Sequence, residues 1–188
     1  ISNEKELTPI FLNSDTSGEM ARADIEKYGF RRIYEETGHW FAPQLTLPKL
    51  INLNRVQPDL VRQNTKLLFV HDWLAWKFTQ EIVTEMTLVS AGQMAKLSDK
   101  GIHAELLDFF GIPEDILPKP HKFGTSLGSI NAQRLSILSP LWSHAEVLVG
   151  GGDSHFLHMG ASLNQAGKVV VSAGSSTPIS LLSTSMGA

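Results

Sequence analysis

The chain has 188 residues, 42% of them hydrophobic, enough to bury a core as one large domain or as parts of two. Its 16 Lys and Arg against 19 Asp and Glu leave a net charge of -3 with no basic run or stripe, which argues against nucleic acid as a partner. No apolar stretch has the length of a membrane span, and the lack of cysteine excludes disulfides and thiolate metal sites and agrees with a reducing, cytoplasmic setting.

In "ELTPIFLN", Pro9, Ile10, Phe11 and Leu12 read as a short strand, broken by Asn13, Ser14 and Asp15. Those three residues suit a cap, Ala21 to Glu36 is rich in helix formers, and Gly38 suits the C-terminal cap. Leu47, Leu50, Ile51 and Leu53 then fall near one face of a helix, and Pro58 opens a further segment. "VHDWLAWKFTQE" places Trp73, Leu74 and Phe78 at helical spacing. "GIHAELLDFFGI" is amphipathic, with Leu106, Leu107, Phe109 and Phe110 on its apolar side. The prolines and glycines of "PEDILPKPHKFGTSLGSI" mark a long irregular connection ending in a short strand. A strand in "AEVLVGG", a helix from Asp153 to about Gln165, and two strands, "GKVVVSAG" and "STPISLL", complete the chain. Helices dominate the first two thirds and strands the end, so the fold class is α/β, with no internal repeat.

The chemistry is expected where Gly150, Gly151 and Gly152 follow the strand and Asp153 begins the next helix. In α/β sheets ligands bind just beyond the carboxyl ends of strands, and glycine there lets a ligand come close to the backbone. The positive end of the helix dipole favours an ionised Asp153, which could orient a hydroxyl and accept its proton. A plain helix cap would use the same residue, and at this point both readings stand. A second glycine turn, Gly174, Ser175 and Ser176, offers backbone N–H groups and hydroxyls suited to phosphate oxygens. Asp153, His155 and His158 form an alternative metal set, but a third strong ligand at fitting spacing is missing and H-E-x-x-H is absent, so no metal ligand is assigned.

Five stretches in order carry a resemblance: "TGHWFAPQLTLPKL", "HDWLAWKFTQE", "LLDFFGIPEDILPKPHKFGTSLGSI", "VGGGDSHFLHMGA" and "VVVSAGSSTPIS". Together they resemble the central part of an FGGY-type carbohydrate kinase. The resemblance implies an actin-like ATPase (ribonuclease-H-like) fold of two domains, of which this chain holds a part: residues 1–166 in the sugar-binding domain and 167–188 at the start of the ATP-binding one. It implies phosphorylation of a sugar or polyol hydroxyl, with Asp153 as the base that takes the proton. Gln44 and Ser154 match sugar-contacting positions, and Gly174, Ser175 and Ser176 match the turn that meets the ATP phosphates. ATP and Mg²⁺ are the implied cofactors, and a homodimer is among the implied assemblies. Ser154 replaces the family's Asn or Gln, Gln44 replaces an aromatic, and Gln80 replaces a glycine. The family's first phosphate hairpin and adenosine-binding part are not in the sequence, which reads as a fragment. Two other readings stay open: a non-catalytic sugar-binding member of the same fold, and a metal-dependent hydrolase using Asp153, His155 and His158.

Overall fold

Asp15 begins the helical part of the chain: its Oδ1 accepts the Ser17 N–H at 2.7 Å, at the head of a 3-10 turn, Ser17–Ala21. The computed structural model describes residues 1–62, 64–131, 142, 144–174 and 177–183, and the chain divides into two units, Ile1–Gly150 and Gly151–Ala188.

In the first unit the expected helix from Ala21 to Glu36 is two helices, α1 (Arg22–Tyr28) and α2 (Phe30–Thr37). Gly29 stands between them at φ 109°, a conformation that no right-handed helix contains and that glycine adopts without strain. Gly38 ends α2 in the left-handed region at φ 80°, as the cap reading requires. Residues 9–12 are irregular rather than a strand. A strand is stable only with a ladder partner, and among the described residues none pairs with them; Leu12 instead gives its carbonyl to Lys49 Nζ at 2.7 Å.

Helix α3 (Thr46–Val56) buries Leu47, Leu50 and Ile51, the face its spacing announces. After α4 (Pro58–Arg62), helix α5 (Val70–Thr79) buries Asp72, Ala75 and Trp76. Of its expected apolar trio, Leu74 is 43% exposed, because Asp72 takes an inward position. Next come α6 (Met86–Ala91), the antiparallel pair β1 (Ala95–Lys96) and β2 (Gly101–Ile102), α7 (Ala104–Phe109) and a 3-10 turn at Glu114–Ile116. The last pair, β3 (Ser126–Ser129) with β4 (Glu146–Leu148), is antiparallel and packs against α5. Ile25, Ile33, Leu47, Met94, Leu106 and Leu107 have no exposed surface and form the centre of the core. Each such side chain contributes about 1.5–3 kcal/mol relative to an exposed position.

The second unit holds α8 (Asp153–Gly160) and a hairpin of β5 (Val169–Val171) with β6 (Ile179–Leu181), Val170 facing Ser180. His158 Nε2 meets Ser180 Oγ at 2.8 Å and ties the helix to the hairpin. Helix α8 stops at Gly160, short of the expected Gln165. Leu163 N–H returns to His158 O at 2.9 Å and Ser162 N–H to Met159 O at 3.0 Å, with Ser162 at φ 57°. This double closure around a left-handed residue satisfies the last carbonyls and cannot continue as helix.

Candidate active site at the glycine turn

Strand β4 runs on into Val149, which is 2% exposed. Val149 N–H donates to Thr125 O at 2.8 Å, and Gly124 N–H donates to Val149 O at 2.7 Å, so the ladder holds the chain up to the glycines. Gly152 is the N-cap of α8, and its carbonyl accepts the N–H groups of His155 at 3.0 Å and Phe156 at 3.1 Å. Asp153 is therefore the first helical residue and not the cap. It is exposed, and its Oδ1 accepts the Ser154 N–H at 2.7 Å. That contact uses one lone pair and leaves the other oxygen open to a hydroxyl.

At Gly150 the side-chain direction is occupied by protein. A Cβ there would lie 2.5 Å from His71 Nε2, so the space a side chain would need is already filled by an imidazole. His71 Nδ1 stands 3.0 Å from Asp72 Oδ1, and Asp72 Oδ2 accepts the Phe69 N–H at 3.3 Å at the start of α5. The adjacency of His71 and Asp72 in "HDWL" is visible in the sequence. Their meeting with Gly150 is tertiary and left no local signal.

Gln44 lies exposed in the turn that leads into α3. That turn rests on Gly18, where a Cβ would come within 2.4 Å of Pro43 O and 2.7 Å of Pro48 Cβ. Upstream, buried Gln93 donates its amide to His39 O at 2.8 Å and so holds the stretch between α2 and α3. Trp40, in that stretch, stacks on Tyr34 with centroids 4.3 Å apart and planes 7° apart. Gln93 is a positioning residue that sequence reasoning missed; a polar residue in "AGQMAK" carries no pattern of its own.

Beneath this stretch Glu36 collects three donors: Tyr28 Oη and His103 Nε2 on one oxygen, the latter at 2.9 Å, and Arg32 Nε on the other at 3.0 Å. His103 Nδ1 accepts the Leu106 N–H at 3.3 Å, so the ring carries its proton on Nε2. Burial works to raise the pKa of Glu36, but the hydrogen bonds from Tyr28, Arg32 and His103 outweigh it and hold the carboxyl below its ordinary value. Burial, then the contact with Glu36, pushes Tyr28 upward.

Gln44 belongs to the first unit, and Asp153, Ser154 and Gly174 to the second. Gly174 forms a bend between β5 and β6; Ser175 and Ser176 lie outside the described residues. In the described part of that turn Ser172 N–H is given to Pro178 O at 3.1 Å, and the Ser172 and Thr177 hydroxyls are groups of the kind that suit phosphate oxygens. Among the described residues no three His, Asp or Glu side chains gather to hold a metal ion, and His158, one of the alternative ligands, is engaged by Ser180. No described helix is long and apolar enough to cross a membrane.

Residues 2–160 match the model of the N-terminal domain of the FGGY family of carbohydrate kinases. A rhamnulokinase of Yersinia pestis (strain Pestoides F) is 32% identical over 132 residues, covering 69% of this chain and 27% of that protein. The ligand-bound xylulose kinase of Lactobacillus acidophilus superposes with a TM-score of 0.81 at 22% identity, over 95% of this chain and 36% of that one. A Plasmodium falciparum glycerol kinase with ADP gives a TM-score of 0.81 at 17% identity, over 94% and 36%. The fold is thus the actin-like ATPase fold in part, α/β as its sequence reads. The chain spans between about a quarter and a little over a third of the length of these proteins.

Proposed function

This chain belongs to the FGGY family of carbohydrate kinases, and from that premise we propose that it forms part of an enzyme transferring a phosphoryl group from ATP to a hydroxyl of a sugar or polyol. The observation that carries the reading is Asp153 itself: an exposed carboxylate at the first residue of α8, directly after a strand end and three glycines, inside the family match. The helix dipole favours its charged form there. In the transfer the hydroxyl oxygen bonds to the γ-phosphorus as the bond to the ADP oxygen breaks, and the hydroxyl proton passes to the Asp153 carboxylate. Such a transition state is loose, so placement of the acceptor matters more than activation of it.

Gln44 and Ser154 serve in this reading as hydrogen-bonding partners of the acceptor, and Gly174, Ser175 and Ser176 as the turn that meets the ATP phosphates. The boundary between the sugar-binding and ATP-binding domains falls near residues 166–167. Mg²⁺ supplies charge neutralisation on the phosphates when bound, and no residue of this chain is assigned to it. The names of the relatives, a rhamnulokinase, a xylulose kinase and a glycerol kinase, support a ketose or polyol acceptor.

Asp153→Asn tests the assignment. The amide can still accept the Ser154 N–H, so the melting temperature should hold. In the complete gene product kcat should fall by roughly 10²–10⁴, the usual share of a general base. A stable and fully active Asp153→Asn enzyme would remove Asp153 as the proton acceptor.

A further inference from the structure

We propose that His71 is a positioning residue for the glycine turn: held by Asp72, its imidazole edge is the stop against which the backbone rests at Gly150, three residues before Asp153. The proposal rests on the reading of Asp153 as proton acceptor.

Asp72 is 1% exposed, and both of its oxygens are engaged, one by His71 Nδ1 at 3.0 Å and the other by Phe69 N–H at 3.3 Å. A carboxylate gripped in this way fixes the imidazole beside it, and Nδ1, facing an acceptor, carries the proton. The far edge of the ring then lies where a side chain of residue 150 would stand, with Nε2, Cδ2 and Cε1 at 2.5, 3.0 and 3.7 Å from the Cβ position. On the other side the Val149 ladder to Thr125 and Gly124 holds the same backbone. Ring and ladder together leave the chain one path at Gly150. Displacing a reacting group by 1 Å can cost about 10²-fold in rate, so a stop so close in sequence to the carboxylate matters to turnover.

The test is reciprocal rescue. In the complete gene product, Gly150→Ala pushes the turn off the ring. His71→Asn keeps a donor for Asp72 but removes the ring edge. Each single variant should lower kcat about ten-fold with KM changed less than about two-fold, the mark of a placement defect rather than lost binding. The double variant should exceed both singles, because the methyl added at position 150 refills the space the ring vacates. The acceptor is whichever of rhamnulose, xylulose and glycerol gives the highest kcat/KM. All four proteins are also melted, so coupling between the two positions is read even when no acceptor is turned over or one single variant is poorly folded. Wild-type kcat in His71→Asn, or a double variant with additive losses in kcat and Tm, overturns the proposal. Asp153→Asn is run beside them: full activity there removes the base but leaves the Gly150–His71 coupling measurable, so the two failures are distinguishable.

Discussion

Two glutamines adopt the same left-handed backbone and should respond unequally to glycine. Gln80 caps α5 at φ 72°, and Gln93 follows α6 at φ 67°. A non-glycine residue pays about 1–2 kcal/mol in that conformation. Glycine removes this strain, but its freer unfolded chain takes back about 0.4–1 kcal/mol. At Gln80, only partly buried at a helix end, the backbone terms alone favour glycine by about 0.5–1 kcal/mol, and losing the side chain's own contact offsets part of that, so Gln80→Gly should stay within about 0.5 kcal/mol of the parent. Gln93 is 0% exposed, and its amide holds His39 O at 2.8 Å. Its loss orphans a carbonyl at about 1–3 kcal/mol and unburies two methylenes at about 0.8 kcal/mol each. Among the described residues its buried Oε1 has no partner, and removing it returns part of that cost. Gln93→Gly should then lose about 1–2 kcal/mol net. Equilibrium urea unfolding reads both, and for a domain of this size each kcal/mol moves Tm by about 2–4 °C. A Gln80→Gly chain destabilised as much as Gln93→Gly would show that strain relief does not set the difference between them and would refute the reasoning.

Glu36 gives the acid limb. Its folded pKa is lowered, so its contribution is complete above the ordinary value of 4.5 and is lost as pH falls through the lower folded value; Glu36→Gln should flatten unfolding stability against pH in that window. Gly18→Ala places a methyl against backbone, Pro43 O, and should cost about 1–3 kcal/mol in denaturant unfolding, with the Gln44 turn displaced in amide exchange. Lys77 and Trp73 both donate to exposed Glu6, whose carboxyl is held at about 2, chiefly by the Lys77 hydrogen bond; added salt should bring its NMR-measured pKa toward the ordinary range.

Much of the architecture is legible where a local rule has no competitor. Gly38 ends α2, Leu47, Leu50 and Ile51 face the core, and β4, α8, β5 and β6 follow in the expected order. Misreadings occur where distant groups decide. Residues 9–12 have strand composition but no paired strand among the described residues, and composition does not supply one. Gly29 lies inside a run of helix formers, and only its φ of 109° shows that it turns Tyr28 inward to Glu36. At Gln80, the departure from glycine noted in the sequence proves to be a strained helix cap. At the candidate site, the position of Asp153 at the head of a helix follows from the glycines and the capping pattern. The reason for Gly150 does not, since the ring that requires it is 79 positions away. Periodicity reports which face is apolar, and it is silent about a histidine braced by its neighbour.

The Tyr34–Trp40 stack has an optical consequence. Two parallel aromatic rings 4.3 Å apart couple their electronic transitions, and Trp40, 55% exposed, sits in the stretch that leads to Gln44. That pair should give the near-ultraviolet circular dichroism a band of its own, separable from the other three tryptophans by Tyr34→Leu. Any event that parts the rings then changes the band at once, so the loop before α3 carries a built-in signal of its own movement, with no dye attached.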